Sequence, residues 1–225
     1  MKINIVTIFP EFFHATLAIS IPSRARDAGA VEYHVVDLRD FTHDKHRSVD
    51  DAPYGGGPGM VMKPGPFFEA VESLGATSPI VLMSARGKRF TQADAVRFSQ
   101  GAELTLLCGH YKDVDQRVAD HLATEELSLG DFVLTGGEPA ALAVVDATVR
   151  LLEGAISDLD SAYGDSHWTD HGALSAPSYT RPPEYRGHSV PDILLSGDHA
   201  KIAAWRKAEG QRLSRQGRAT RNDAD

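Results

Sequence analysis

Three glycine-rich segments hold most of the chain's capacity to bring backbone against a ligand. The first, Pro53-Tyr54-Gly55-Gly56-Gly57-Pro58-Gly59-Met60, has no Gly-Lys-Ser/Thr to hold phosphates and magnesium, which disfavours ATP binding. It also lacks the G-x-G-x-x-G spacing and follows a polar stretch rather than a strand, which argues against a dinucleotide-binding turn. Its composition suits backbone lying close to a ligand or a partner chain. The second, Leu107-Cys108-Gly109-His110-Tyr111, puts a glycine directly after an apolar strand, where open parallel sheets bind ligands. The third runs Leu129-Gly130-Asp131-Phe132-Val133-Leu134-Thr135-Gly136-Gly137-Glu138. Phe132 to Leu134 reads as strand-like, with a sharp loop on either side that leaves backbone donors and acceptors free. On the residues alone, a pair of structural turns is the alternative.

Side chains able to move protons stand out less. Ser157 to Gly172 is a polar stretch with four Asp and no Lys or Arg, and it reads as a linker. Asp165, in Gly164-Asp165-Ser166-His167, is one of those four and by composition alone is a solvated carboxylate. Arg150 follows Asp146 by four residues, the spacing of a surface ion pair on a helix. His43, Asp44 and His46 have no further ligand at a suitable spacing, so no metal site is expected. The single cysteine, Cys108, excludes an intramolecular disulfide and any multi-cysteine metal site; its apolar surroundings favour a core role and a reducing, cytoplasmic setting.

The elements that must position these groups alternate. Ile3 to Phe9, Val31 to Val36, Ile80 to Met83 and Leu104 to Cys108 read as strands. Helical spacing around Pro10 to Ala28, Pro66 to Ser73 and Gln92 to Gln100 separates them, which predicts a mainly parallel α/β sheet with helices on both faces. Pro139 to Leu152 carries an apolar stripe of Leu142, Val145, Val149 and Leu152. Beyond the linker, prolines keep the chain extended until a helix expected from Asp198 to Glu209, stopped by Gly210, with Ile202 and Trp205 on its core face. The organisation expected is a main domain over 1–156, a linker over 157–172 and a small domain over 173–225.

The net charge of −8 argues against a nucleic-acid partner. The distribution weakens that objection, because residues from Ala173 onward carry nine Lys and Arg against six Asp and Glu, or +3, leaving −11 on the rest. No run of residues reads as a membrane span.

Several blocks then occur in a telling order. They are Thr42-His43-Asp44 through Asp51, Tyr54-Gly55-Gly56-Gly57-Pro58-Gly59-Met60, Cys108-Gly109, Leu129-Gly130-Asp131-Phe132-Val133-Leu134, Tyr179-Thr180-Arg181-Pro182 and Leu195-Ser196-Gly197-Asp198-His199. In this arrangement the chain resembles the TrmD family of tRNA (guanine-N1)-methyltransferases over nearly its whole length.

The resemblance implies a SPOUT-class fold with a C-terminal trefoil knot in the main domain, a small mostly helical C-terminal domain that binds tRNA, and a homodimer with the active site at the subunit interface. It implies S-adenosylmethionine bent in the knot, held by Leu82, Met83, Ser84 and Ala85, by Gly109 and Tyr111, by the loop Leu129, Gly130, Asp131, Phe132, Val133 and Leu134, and by Gly136 and Gly137. The implied reaction is methyl transfer to N1 of guanosine at position 37 of tRNA, next to the anticodon. Guanine N1 is protonated at neutral pH, so a base and a cation are needed; by resemblance these are Asp165 and Arg150. Substrate contacts fall by the same route on Asp51, Tyr54, Gly55, Gly57, Ser166, His167, Arg181 and Arg215, and Mg2+ is implied near the transferring methyl group. Trp168 and Tyr179 are candidates to stack on an extruded base. The rival readings are a related knotted RNA methyltransferase acting on another nucleotide or a ribose, and a non-catalytic RNA-binding dimer. Three departures from the family pattern are Lys112 and Asp113 in place of a glutamate and a glycine, Pro139 directly after Glu138, and an altered tail over Ser214 to Ala219.

Overall fold

The computed structural model describes residues 1–77, 79–156, 165–167 and 174–222, the last six as backbone only. The chain forms two compact units, Met1–Ser157 and Asp158–Asp225. The expected linker lies outside the described residues apart from 165–167, as does Trp168.

In the first unit the strands are β1 (Lys2–Thr7), β2 (Glu32–Asp37), β3 (Asp50–Asp51), β4 (Val61–Met62), β5 (Ile80–Arg89), β6 (Glu103–Cys108), β7 (Asp113–Val114) and β8 (Glu125–Ser128). The helices are α1 (Pro10–Thr16), α2 (Ser20–Asp27), α3 (Pro64–Leu74), α4 (Gln92–Ser99), α5 (Gln116–His121) and α6 (Glu138–Val149). Five strands make an all-parallel sheet in the order β2-β1-β6-β5-β8. Both faces are covered, as parallel strands with near-continuous apolar runs require. Ile3, Ile5, Leu106, Val144 and Val145 pack on one side, and Val6, Leu38, Phe67, Leu82 and Leu107 on the other. The helices start and stop by ordinary local chemistry: Thr91 and Asp94 form a reciprocal capping box on α4, and Gly75 closes α3 in the left-handed conformation.

Several expectations are corrected. The segment 10–28 breaks into two helices, with Ser20, at φ 56, opening the second. β5 runs on to Arg89, past the apolar run that marks its start. The buried face of α6 is Ala141, Val144, Val145, Thr148 and Val149, and Leu142 sits at its edge, because the sheet meets the helix over a wider face than a narrow stripe predicts.

Glu103, opening β6, accepts hydrogen bonds from Thr77 Oγ1 (2.6 Å), Thr77 N (3.1 Å) and Asn4 Nδ2 (2.8 Å), and Lys2 Nζ lies 3.3 Å away. The Thr77 hydroxyl, the main cause, helps lower its pKa from 4.5 to about 2. A carboxylate depressed in the folded state stabilises above its unfolded pKa, and that contribution is lost as pH falls through the folded value. Glu103→Gln should therefore be less stable than the parent at neutral pH, and denaturant midpoints of the two should converge as pH falls from 4.5 toward about 2.

In the second unit, β9 (Glu184–Tyr185) and β10 (His188–Ser189) form a hairpin, followed by α7 (Asp192–Leu195) and α8 (His199–Asn222). Asp198 bonds Lys201 N at 3.1 Å, the cap the sequence predicts. Gly210, however, does not end α8. It is buried where Leu174 crosses the helix: a Cβ there would lie 2.4 Å from the Leu174 carbonyl oxygen. Ser214 Oγ fastens the crossing, accepting from Leu174 N at 2.8 Å and donating to Gly210 O at 2.7 Å. Gly210→Ala should destabilise this unit by about 1–3 kcal/mol through overpacking, read as faster limited proteolysis within 174–222.

Candidate functional site

The C-terminal ends of β5, β6 and β8 open into a cleft of about 180 Å³, the position where parallel sheets receive ligands. Local geometry creates it. The register between β5 and β8 shifts between Met83 and Lys88, so Ser84, Ala85 and Arg86 bulge away before the strand rejoins its neighbour. Gly87 makes the return possible: a Cβ there would stand 2.5 Å from Leu127 N. Gly109 leaves β6 in equally tight quarters, since its Cβ would meet Val114 Cγ2 at 2.7 Å.

The third wall is the loop after β8. Phe132 to Leu134 form no strand; they are exposed, at 55%, 86% and 40%, and make an apolar lip over the cleft. The strand reading fails because these apolar side chains have no sheet neighbour and face outward. The loop returns to the sheet where His110 and Gly136 form an antiparallel bridge and Gly137 N donates to Gly109 O at 2.7 Å.

Of the residues expected to hold S-adenosylmethionine, the cleft gathers Leu82, Met83, Ser84, Ala85, Gly109, Tyr111, Leu129, Phe132, Val133, Leu134, Gly136 and Gly137. Gly130 and Asp131 do not line it, and Asp131 points outward to Arg89 at 2.6 Å. The wall's two permanent cations are Arg86, held by Asp113 at 3.2 Å, and Lys112. Main chain and apolar side chains dominate, a donor set that fits an adenosine and a sulfonium better than a polyphosphate.

Beneath the cleft lies a polar set that sequence reasoning missed. Glu138 is 3% exposed in the first turn of α6, where the helix dipole favours a carboxylate. Thr7 Oγ1 donates to Glu138 Oε1 at 2.8 Å and accepts from Phe9 N at 3.0 Å. His110 Nδ1 is 3.6 Å from Glu138 Oε2, too far for a hydrogen bond, and its ring meets Phe9 edge-on at 5.0 Å. Gly136 fits between them: a Cβ would fall 2.3 Å from His110 Nδ1 and 2.4 Å from Glu138 Oε2. The sequence signal was an acidic residue directly after two glycines at a helix start. Cys108, fully buried, has its thiol pKa pushed well up, by desolvation first and by Glu138 second, which makes it no nucleophile.

A second cleft, about 840 Å³, lies alongside the glycine-rich loop and is lined by Asp51, Tyr54, Lys63, Arg86, Lys112 and Arg117 among others. A small side sheet, β3-β4-β7, frames it. Gly55, Gly56, Gly57 and Gly59 all have φ between 76 and 112, a run open only to glycine, and Tyr54 stands fully exposed before it. Gly55 and Gly57 belong to the loop without lining the cleft.

In the second unit a groove of about 1050 Å³ is bounded by Asp165, Tyr179, Arg181, Arg206 and Lys207 over an apolar floor that includes Leu174 and Ile202. Ser166 Oγ accepts from Ser175 N at 3.0 Å and sits 2.9 Å from Ser175 Oγ, which ties down the Asp165-Ser166-His167 segment. His167 holds a left-handed φ of 69. Arg215 is exposed on α8, and Arg150 caps the C-terminus of α6, its N–H bonding Asp146 O at 3.2 Å; neither lines the groove or the clefts.

The sequence model of the family described as tRNA (Guanine-1)-methyltransferase TrmD matches residues 1–223. Among curated relatives, a Dehalococcoides mccartyi protein named tRNA (guanine-N(1)-)-methyltransferase is 48% identical over 216 residues, covering 94% of this chain and 86% of its own. Proteins of the same name from Synechococcus sp. and Geobacillus kaustophilus are 51% identical over 208 residues and 47% over 215, covering 92% and 94% of this chain and 81% and 87% of theirs.

Proposed function

The chain belongs to the tRNA (guanine-1)-methyltransferase TrmD family, and from that premise we propose that it moves the methyl group of S-adenosylmethionine to N1 of guanosine at position 37 of tRNA. The observation that carries the reading is the convergence of three loops, around residues 82–86, 109–111 and 129–137, on one cleft at the strand ends with no phosphate-binding fingerprint. S-adenosylmethionine supplies an electrophilic methyl group on a sulfonium. Backbone groups of Met83, Gly109 and Leu129, which line the cleft, would orient it, and Phe132, Val133 and Leu134 would keep water from the reacting centre.

Asp165 takes the N1 proton as the guanine attacks, and Arg150 offsets the negative charge that then spreads to O6. Tyr54 stacks on RNA beside the target, with Asp51, Gly55 and Gly57 shaping the surface around it; Ser166, His167, Arg181 and Arg215 contact the tRNA. The functional form is a cytoplasmic homodimer with a trefoil knot around the cofactor, completed across the subunit interface; among the described residues no group of three or more His, Cys, Asp or Glu is placed to hold the Mg2+ that the resemblance implies. The main domain, connector and tRNA-binding domain divide as 1–156, 157–172 and 173–225. Neither a ribose-directed enzyme nor a non-catalytic RNA-binding dimer is favoured. Among the described residues no helix is long and apolar enough to cross a membrane.

Isothermal titration with S-adenosylmethionine tests the cofactor half of this reading. Saturable binding is expected, weakened when Leu134 is replaced by aspartate at the apolar lip. A flat titration would reject it.

A further inference from the structure

The two departures at 112 and 113 are coupled in space. Asp113 takes up Arg86, with carboxylate and guanidinium 3.2 Å apart. Lys112 is fastened to the glycine-rich loop: its N–H donates to Met60 O at 3.0 Å, and its stem crosses Gly59, where a Cβ would lie 3.1 Å from Lys112 Cβ and 3.4 Å from Cδ. The ammonium reaches Gly57, 3.7 Å from where a Cβ would stand. A Cβ at 59 would crowd this path and one at 57 would only touch the ammonium, so Gly59 above all leaves room for the lysine stem.

Lys112 borders both the cofactor cleft and the Tyr54 cleft. The other cations of the Tyr54 cleft are engaged: Arg86 with Asp113, Arg117 with Asp115 at 2.8 Å, and Lys63 with the Ser48 carbonyl at 3.3 Å. Lys112 is exposed and, among the described residues, has no anion within ion-pairing distance. Tyr54, the aromatic of the same cleft, is fully exposed. An exposed ring beside a directed, unneutralised cation is the pairing by which proteins hold single-stranded nucleic acid, the base on the ring and the phosphate on the cation.

We propose that Lys112 binds a backbone phosphate of the RNA next to the nucleotide that is methylated. The inference rests on the methyltransferase reading. The ammonium lies against Gly57 in the loop that Tyr54 opens, which favours the RNA over the carboxylate of the cofactor.

The test compares the parent, Lys112→Met, which keeps the stem over Gly59, and Lys112→Arg. Each is assayed for binding of unmodified tRNA over a salt series and for binding of S-adenosylmethionine. For Lys112→Met, tRNA affinity should fall about three- to tenfold at low salt and the slope of log affinity against log salt should lose about 0.7–0.9, the value of one phosphate contact. Cofactor affinity should stay within about twofold, and Lys112→Arg should retain the parent slope. An unchanged slope in Lys112→Met overturns the proposal, as does a loss confined to cofactor affinity. Methyl transfer by the parent protein is scored in parallel. Its absence would reject the methyltransferase reading itself, a result distinct from a parent that methylates normally while Lys112 proves silent.

Discussion

Asp165→Asn should methylate tRNA about 10²- to 10⁴-fold more slowly than the parent under single-turnover conditions, the usual contribution of a positioned base. The substitution keeps the shape and hydrogen-bonding reach of the side chain but cannot accept the N1 proton. Asparagine is nearly isosteric with aspartate, and the Ser166 bonds to Ser175 that hold this segment are untouched, so the fold should survive. Binding of S-adenosylmethionine should change little. The residual rate should rise with pH, and more steeply than the parent rate, since without the base only guanine that has already lost its N1 proton can react. A variant as fast as the parent, or one whose pH profile matches it, would remove Asp165 from the mechanism. Folding is checked by far-UV circular dichroism of both proteins.

The second large effect is expected at Gly137. Its N–H bonds Gly109 O at 2.7 Å, and a Cβ would fall 3.0 Å from both Cys108 Cα and Gly109 N and 3.1 Å from Met83 Cβ. These neighbours are Met83 within β5, Cys108 at the end of β6 and the Gly109 that follows it, all held in or beside the sheet. They cannot yield as a flexible side chain would, so Gly137→Ala should shift the 129–137 loop against the sheet by a few tenths of an ångström, at the backbone that lines the cleft. The expected outcome is a loss of roughly 2–3 kcal/mol in cofactor binding, about two orders of magnitude in affinity, with a smaller fall in melting temperature. Gly55→Ala makes the contrast: a Cβ there meets nothing within 4 Å, although φ is +82, so strain without a clash should leave cofactor affinity near that of the parent. Equal losses at both positions would show that loop flexibility, rather than close approach, is what the glycines provide.

Much of the sheet was legible because its strands are buried on both faces and therefore nearly continuous in apolar residues. Ile3 to Val6, Val81 to Met83 and Leu104 to Cys108 announce themselves that way. β8 did not, since Glu125 and Glu126 open a strand at the sheet edge, where Glu125 is free to pair with Arg97. Phe132 to Leu134 misled in the opposite sense: three apolar residues in a row describe an exposed lip over a cleft as well as a strand, and sequence periodicity has no way to separate them. Gly210 shows the same ambiguity in a helix. The glycine that reads as a stop is a place where another segment passes close, and the Leu174 carbonyl that requires it is 36 positions away in the chain. The cleft residues were named through family resemblance, while the Glu138, Thr7 and His110 set beneath them is joined by a hydrogen bond between Thr7 and Glu138, 131 positions apart in the chain.

The most direct test is to incubate the purified protein with S-adenosylmethionine and unmodified tRNA transcripts and to locate the new methyl group by nuclease digestion and mass spectrometry. The account predicts 1-methylguanosine at position 37 and its loss in Asp165→Asn. A methyl group on a ribose, on another nucleotide, or undiminished in that variant would contradict it.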